Sequence, residues 1–407
     1  MARRALWSPT QWDHVRLRIL WLTPRIACPP DTGGTIVTYY LLQHLAARGH
    51  HLTVWPLSEV RGTPNLGESI EIIPRTFPLP HRHSVGRLLL STLTVRPYAI
   101  SRYLDRRAFQ EIVKALAPPH YDVVHVDHLH LAEYGLALQL PRVLLMHNVE
   151  SVLWERLAAI EAHPIKKIFE KHQADKLRRY EREVLSQYDA IVALSPLDAA
   201  RLQQLCPWAH VVAIPPGVDD ELFHPLNVGE EPYSVVFVGP LDWVPNVDGA
   251  RWFCREIWPK VKAHVPQARC YIVGRCPPRD LYAHQDVIVM GYVPDVARLV
   301  ARASVFIVPV RIGSGVRVKI LHALAMGKAV VTTSVGCEGL ELSRDEHVWV
   351  ADTAQEFADG VSTLLQDAAT RRRLGGAGMQ CVRTRYRWPN AAAALEALYH
   401  RLCARRS

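Results

Sequence analysis

Residues 303–340 read ASVFIVPVRIGSGVRVKILHALAMGKAVVTTSVGCEGL, which is a strand, a glycine loop, a helix and a second strand in unbroken succession. The apolar run VFIVPV near its start is typical of a strand that is covered on both faces, as in a parallel sheet. Gly313 and Gly315 form a loop without a bulky side chain, and Ser314 between them is predicted to cap a helix that starts near Val316. The stretch therefore predicts an α/β unit.

The N-terminal end of this predicted helix favours an anion. Free backbone N–H groups and the helix dipole attract negative charge there, and Lys319 adds a full positive charge. The residues that recur at three- and four-residue intervals, and so share one helical face, are Val316, Lys319, His322, Ala323 and Met326. The pattern is compatible with a phosphate-binding helix and with an ordinary βαβ unit that carries a solvated lysine, and the residues alone leave both open.

Length and composition indicate a two-domain protein of a reducing compartment. The chain has 407 residues, of which 49% are hydrophobic, and its net charge of +9 favours anionic partners without singling out nucleic acid, membranes or sugar phosphates. The eight cysteines form no C-x-x-C pair, which is typical of free thiols. No long apolar window is free of charge, so we expect a cytoplasmic protein without a membrane span.

Two series of alternating strands and helices predict an α/β protein with two doubly wound, Rossmann-like domains. Strands are predicted at 15–23, 51–57, 69–73, 121–126, 142–147, 189–194 and 210–214, and then at 234–239, 268–274, 287–290, 304–310 and 329–333. A stretch rich in proline, glycine and acids separates the two series. The expected organisation is a first domain at 1–215, a linker at 216–232, a second domain at 233–385, and a C-terminal helix at 386–407 that packs back toward the first domain.

Polar residues follow the predicted strands of the first domain, at the edge where open parallel sheets bind ligands. Gly33 and Gly34 follow the first strand and would let a ligand approach the backbone, although a tight turn that needs a positive φ explains them equally well. The candidates for sugar or acceptor contacts at the next two strand ends are His125, Asp127, His128 and His147. The chain has 20 histidines, so a single histidine also falls at a strand end by chance.

The segment 75–107 has seven arginines and one acid, with leucines interleaved among them. Such a segment is suited to lie on an anionic lipid surface or to bind an anionic acceptor. A pair of solvated helices is the alternative.

In combination, the motifs resemble those of glycosyltransferase family 4, whose retaining enzymes have the two-domain GT-B fold. The motifs similar to the donor domain of that family are VFVGPL at 236–241, PN at 245–246, YIVG at 271–274, GYVP at 291–294, VPVRIGSGVRVK at 308–319, ALAMGKAVV at 323–331 and GCEGL at 336–340. TGGT at 32–35 and HNVES at 147–151 similarly resemble its acceptor domain. Within the family, the chain looks most similar to bacterial enzymes of exopolysaccharide or surface glycan biosynthesis.

This resemblance implies transfer of a hexose from a nucleotide diphosphate sugar to a glycan or a lipid-linked acceptor. It implies no cofactor, no bound metal and no nucleic acid. Peripheral contact with an anionic membrane, at its inner face, is expected from the basic segment 75–107. The implied catalytic residues are His147, Asp127 and Lys319, and the implied acceptor-side loop contains Gly33, Gly34 and His128. The implied donor-binding residues are Gly239, Gly313, Ser314, Gly315, Arg317, Lys319, His322 and Glu338. Preorganised charge on the cations would stabilise the departing diphosphate.

Two departures from the family pattern concern the donor site. Most members carry two glutamates in an E-x7-E motif, whereas this chain has Ser314 and His322 at the corresponding positions. His322 is expected to replace the ribose-binding glutamate and to titrate at roughly 6.5 if its pKa is unshifted. The alternatives are a non-catalytic partner subunit with the GT-B fold and, less compatible with its acidic residues, a sugar-nucleotide epimerase.

Overall fold

The structure is a computed structural model that describes residues 16–58, 60–62, 66–73, 88, 91–115 and 121–405. Two parallel sheets with helices on their faces make up the chain, so the predicted fold class, with two doubly wound α/β units, is confirmed. Of the basic segment 75–107, residues 75–87, 89 and 90 lie outside the described ranges.

The first sheet has seven parallel strands in the order β5-β3-β1-β6-β7-β8-β9. Its strands are β1 (Arg18–Thr23), β3 (His51–Pro56), β5 (Ile70–Ile72), β6 (Val123–Asp127), β7 (Arg142–Met146), β8 (Ala190–Ala193) and β9 (Val211–Ala213). Two further short strands, β2 (Ile26–Ala27) and β4 (Val60–Arg61), pair with each other beside it. The strand order reverses between β1 and β6, so a crevice opens at their carboxyl ends.

The helices described around this sheet are α1 (Gly33–Ala47), α2 (Tyr98–Ser101), α3 (Arg106–Ala115), α4 (Ala132–Leu136), α5 (Glu150–Ile160), α6 (Pro164–Leu185) and α7 (Pro196–Leu205). Helix α1 begins with a capping box, in which Thr32 and Thr35 satisfy each other's backbone N–H groups. Helices α6 and α7 both begin with proline, which has no N–H to leave unsatisfied there. The starts of α1, α5 and α7 follow the carboxyl ends of strands and so surround the crevice.

The second sheet has six parallel strands in the order β12-β11-β10-β13-β14-β15. Its strands are β10 (Glu231–Val238), β11 (Arg269–Val273), β12 (Val287–Gly291), β13 (Ala303–Val308), β14 (Ala329–Thr332) and β15 (Trp349–Val350). Its helices are α8 (Val244–Trp252), α9 (Trp258–His264), α10 (Val296–Arg302), α11 (Val318–Ala325), α12 (Ala354–Gln366) and α13 (Ala368–Arg385), and a π-helical turn, Phe253–Ile257, joins α8 to α9. The order reverses between β10 and β13, which places a second crevice there.

The last helix, α14 (Trp388–Ala404), packs on the first sheet and on α1 rather than on the second sheet. Trp388 and Tyr399 are fully buried in the same hydrophobic cluster as Trp21 and Leu41. Tyr40 of α1 stacks on Trp388, with 5.3 Å between ring centroids. The first domain therefore contains the C-terminal end of the chain in its core.

One local prediction about the glycine loop is wrong. Helix α11 begins at Val318 instead of near Val316, and no side chain caps it. The hydroxyl of Ser314 accepts a hydrogen bond from the backbone N–H of Val149 at 2.9 Å, so it serves a contact between the two domains. In the described ranges, no helix has the length and apolar character needed to cross a membrane.

Candidate functional site

Lys319 lies at the crevice of the second domain, in the first turn of α11. Its Nζ donates a hydrogen bond to Asn246 Oδ1 at 2.8 Å and lies 4.7 Å from the centroid of the Phe237 ring. A Cβ on Gly239, which follows β10, would lie 2.5 Å from this Nζ, so a side chain there would displace the ammonium group from its position. The ammonium group is therefore held against the backbone at the end of the central strand.

Lys319 and Arg317 form a pair of poorly solvated cations. Burial, together with the like charge of Arg317, lowers the pKa of Lys319 to about 7. Burial also lowers the pKa of Arg317 to about 10. The hydrogen bond of Lys319 goes to a neutral amide, and Nη2 of Arg317 is buried without a hydrogen-bond partner. A bound anion would favour the charged form of Lys319 and would give Nη2 of Arg317 a partner.

The glycine loop has a backbone conformation that residues with a side chain rarely adopt. Gly313 and Gly315 have φ values of 145° and 78°, both in the region that favours glycine. A Cβ on Gly315 would lie 2.0 Å from the carbonyl oxygen of His147, which belongs to the other domain. Arg317 also ties the loop from within, because its Nη1 donates to the carbonyl of Ser314 at 2.6 Å and to that of Gly315. The loop therefore packs directly against the predicted acceptor side.

Asp127 and His147 form a buried pair at the crevice of the first domain. Thr23 and Thr38 donate hydrogen bonds to Asp127 Oδ2 at 2.8 and 2.5 Å, and His147 Nε2 donates to Asp127 Oδ1. Burial by itself raises the pKa of Asp127, but the nearby His147 and His128 outweigh it, and the pKa is lowered. Asp127 is therefore an ionised carboxylate, and it fixes the proton of His147 on Nε2.

His128 and the two glycines complete this side of the cleft. The ring of His128 stacks on that of His147 with 3.7 Å between centroids, and its backbone has a φ of 85°, which is uncommon for a residue with a side chain. Burial and the neighbouring His147 lower the pKa of His128 well below its usual range. A Cβ on Gly34 would lie 3.2 Å from the His128 ring, whereas the space around Gly33 is open. Neither glycine has a positive φ, so the tight-turn alternative is wrong and both form the first turn of α1.

Two histidines differ from what the sequence predicted. His125 is fully buried, stacks on Trp21 at 3.7 Å and shares a 2.7 Å hydrogen bond with the hydroxyl of Tyr399, so it is a core residue and not a ligand contact. The ring of His322 stacks on Phe223 of the linker at 3.7 Å, and its Nε2 is buried without a hydrogen-bond partner. Burial lowers the pKa of His322 to about 3, so the expected titration near 6.5 does not take place and the ring stays neutral.

Two arginines of the first domain reach Glu338, and sequence reasoning missed both. Arg156 of α5 binds the Glu338 carboxylate through Nη1 and Nη2, and its Nη1 also donates to the carbonyl of Gly313. Arg201 of α7 binds the same carboxylate. The two arginines lie 182 and 137 positions from Glu338 in the sequence, and no local pattern indicates such a contact.

Two groups of described residues offer metal-ligand atoms within 4.8 Å of one another: Asp127, His128 and His147, and His50, Glu396 and His400. In the first group, a cation would have to displace the proton that His147 donates to Asp127. In the second, the backbone N–H of Leu17 donates to Nδ1 of His50 at 3.2 Å, so a neutral His50 carries its proton on Nε2, toward Glu396. Both groups therefore suit hydrogen bonding between side chains.

Comparison with known proteins places each domain in a family. Residues 32–222 match the Glycosyltransferase Family 4 model, and residues 232–367 match the model of Glycosyl transferases group 1. An uncharacterized 44.6 kDa protein in the cps region of Klebsiella pneumoniae is 24% identical over 232 residues, which are 53% of this chain. The aligned part spans 58% of that relative's length.

Solved structures with little sequence identity share the fold. Sucrose-phosphate synthase from Thermosynechococcus elongatus superposes with a TM-score of 0.74 at 18% identity, covering 96% of this chain and 100% of the other. Anabaena HepE, solved in complex with UDP and glucose, gives 0.63 at 14% identity, covering 94% and 99%. Both domain matches and the GT-B architecture agree with the motifs of the sequence, and they identify the chain as a glycosyltransferase whose first domain matches family 4 and whose second domain matches group 1.

Proposed function

We propose that this protein transfers a hexose from a nucleoside diphosphate sugar, with retention of configuration, to a glycan or lipid-linked acceptor of a surface polysaccharide. The observation that carries the proposal is the contact between the glycine loop and His147, which brings Lys319 and Arg317 to the same cleft as the Asp127–His147 pair. The similarity to a protein of a cps region and to a structure that holds UDP and glucose supports it.

The cations of the second domain supply the electrostatic part of this reaction. When the bond between the anomeric carbon and the diphosphate oxygen breaks, negative charge grows on the diphosphate. Lys319, Arg317 and the N–H groups at the start of α11 are already in place to stabilise that charge, without reorganisation. We propose that they make a divalent metal unnecessary.

The first domain supplies hydrogen bonds to hydroxyl groups. Because Asp127 holds a proton of His147 on Nε2, the neutral form of this imidazole would carry its lone pair on Nδ1, which lies 3.9 Å from the position of a Cβ on Gly34. Nδ1 of His147 can therefore accept a hydrogen bond from a hydroxyl group of the sugar or the acceptor at the start of α1. His322 offers the nucleoside a neutral Nε2 that has no protein partner.

The decisive experiment measures binding and turnover of UDP-glucose, GDP-mannose and ADP-glucose, in the presence and absence of EDTA. The anomeric configuration of the product is assigned by NMR. We expect one of the three to bind, the Lys319→Met variant to lose affinity, and EDTA to have no effect. Lys328→Met is a matched control, since Lys328 lies beyond the other end of α11 and donates to the carbonyls of Ala301 and Ala303 at 2.7 Å. Activity that requires Mg²⁺ or Mn²⁺ would contradict the metal-free mechanism.

A non-catalytic partner subunit is the second candidate. Two contacts favour this alternative: Ser314 is hydrogen-bonded to Val149, and Phe223 covers one face of the His322 ring. Ser314 and His322 therefore do not fully replace the two glutamates of the family motif. Absence of binding for all three nucleotide sugars, in a protein that melts cooperatively, would select this alternative.

We also propose that the first domain contacts an anionic membrane, on whose inner face a lipid-linked acceptor would lie. In the described part of the basic segment, Leu93 and Val95 are 86% and 91% exposed, and Arg96 follows them. Apolar side chains beside cations suit the surface of an anionic bilayer. Flotation with neutral and anionic vesicles tests the proposal: equal binding to both, or binding that 0.5 M salt does not weaken, would contradict it.

A further inference from the structure

Glu338 lies between two arginines that belong to the other domain. Arg156 binds both of its carboxylate oxygens, with Nη2 at 3.0 Å from Oε1, and Arg201 binds Oε1 as well. The three side chains are partly buried, with 26%, 24% and 13% of their surface exposed for Arg156, Arg201 and Glu338. Such paired, charge-assisted hydrogen bonds fix the orientation of a carboxylate.

The position of Glu338 relative to the glycine loop follows from the same contacts. Nη1 of Arg156 donates both to Glu338 and to the carbonyl oxygen of Gly313, so one nitrogen atom joins the carboxylate to the loop. Glu338 is also close enough to Arg317 to affect its pKa. The carboxylate is therefore at the edge of the site to which we assign the diphosphate, where the sugar of a donor would begin.

An ionised carboxylate can accept about four hydrogen bonds, so Arg156 and Arg201 leave capacity for a sugar hydroxyl. Both arginines keep the pKa of Glu338 low despite its burial, which by itself would raise it. Asp198 lies 3.4 Å from Arg201 and balances its charge. The two arginines, Arg156 and Arg201, are thus balanced by two carboxylates, those of Glu338 and Asp198. The carboxylate of Glu338 is oriented before a ligand arrives.

We propose that Arg156 and Arg201 are positioning residues, which hold Glu338 in the orientation that accepts a hydroxyl group of the donor sugar. Because both arginines come from the first domain, this contact to the sugar is complete only when the two domains are closed on each other. The nucleotide, which contacts the second domain, would bind whether or not they are closed. Recognition of the sugar is in this way coupled to the position of the acceptor domain.

The test compares affinities for a nucleotide sugar and for its parent nucleotide, and it rests on the proposed function. The probe is whichever of UDP-glucose, GDP-mannose and ADP-glucose binds the wild type most tightly, together with UDP, GDP or ADP. In Arg201→Met we expect the affinity for the nucleotide sugar to fall about tenfold or more, and that for the nucleotide to change less than about twofold. Arg156→Met also removes the hydrogen bond to Gly313, so there we expect the nucleotide-sugar affinity to fall more than the nucleotide affinity. Arg178→Met is the matched control, because Arg178 pairs with Glu155 on the exposed side of the same helical hairpin.

Two further variants keep the proposal falsifiable if methionine impairs folding. Arg156→Lys retains the charge but not the paired hydrogen bonds, and should give an intermediate loss of nucleotide-sugar affinity. In Glu338→Gln, adding Arg156→Lys should cause no additional loss, because both changes disable one contact. Unchanged or increased nucleotide-sugar affinity in the arginine variants would overturn the inference, while leaving the proposed function standing. Failure of the wild type to bind any of the three sugars would instead refute the proposed function and this inference together.

Discussion

The lowered pKa of Lys319 makes donor affinity depend on pH in a direction that can be measured. With a pKa of about 7 in the free protein, the ammonium form is half populated at pH 7 and about one hundredth populated at pH 9. A diphosphate beside Nζ favours the charged form, so the pKa rises on binding and donor binding takes up a proton above pH 7. Affinity should therefore fall as the pH rises, by up to tenfold per unit and by about 50-fold between pH 7 and 9.

Isothermal titration calorimetry with the nucleotide sugar, from pH 6 to 9, measures this slope. A nucleotide sugar is preferable to a free nucleotide, because a terminal phosphate itself titrates near pH 6. His322 and Arg317, with pKa values of about 3 and about 10, do not change charge appreciably over most of this range. Lys319→Met should bind weakly at every pH, without the slope, and Lys328→Met should keep it.

A flat profile in the wild type would show that Lys319 does not contact the diphosphate. The same slope in wild type and Lys319→Met would assign the titration to another group. Either result would refute the electrostatic role that the structure suggests for this lysine.

Three further changes have defined outcomes. Gly315→Ala would place a Cβ 2.0 Å from the carbonyl of His147, so we expect a fall of kcat by about 100-fold with an unchanged circular dichroism spectrum; wild-type turnover would contradict the packing. Burial raises the pKa of Glu181 to about 7 in the folded state, so ionisation of this buried carboxyl costs stability as the pH rises from about 4.5 through 7. Glu181→Gln should therefore raise the free energy of unfolding more at pH 8 than at pH 5, with a limit on the order of 3 kcal/mol. An equal effect at the two pH values would argue against the raised pKa. Tyr399→Phe should cost about 1–3 kcal/mol in denaturant unfolding, because it removes the 2.7 Å hydrogen bond to buried His125, whereas an unchanged midpoint would mean that another group satisfies this histidine.

Apolar strands and glycine loops could be predicted from the sequence because their signals are local. The predicted ends of β13 and β14 all lie within two residues of those in the structure, since each strand is a buried run bounded by a turn or a helix. By contrast, a π-helical turn, Phe253–Ile257, separates α8 from α9, and periodicity alone gives no sign of it.

Contacts between domains could not be predicted, because they depend on geometry that no short window contains. Arg156 looks like an ordinary residue of an amphipathic helix, and only the folded chain brings it to Glu338. His125 and Asp127 are two residues apart and both suit a strand end, but His125 lies in register with Trp21 inside the sheet. What covers His125 is a tyrosine 274 positions later.

The packing of α14 into the first domain affects the order in which the chain can fold during synthesis. A ribosome releases residues 16–213 long before Trp388 and Tyr399, so the apolar surface of Trp21 and α1 that α14 covers stays exposed while the whole second domain is translated. This core is completed only when α14 has been made. A chain that ends before Trp388 would keep that apolar surface exposed, and exposed apolar surface favours aggregation.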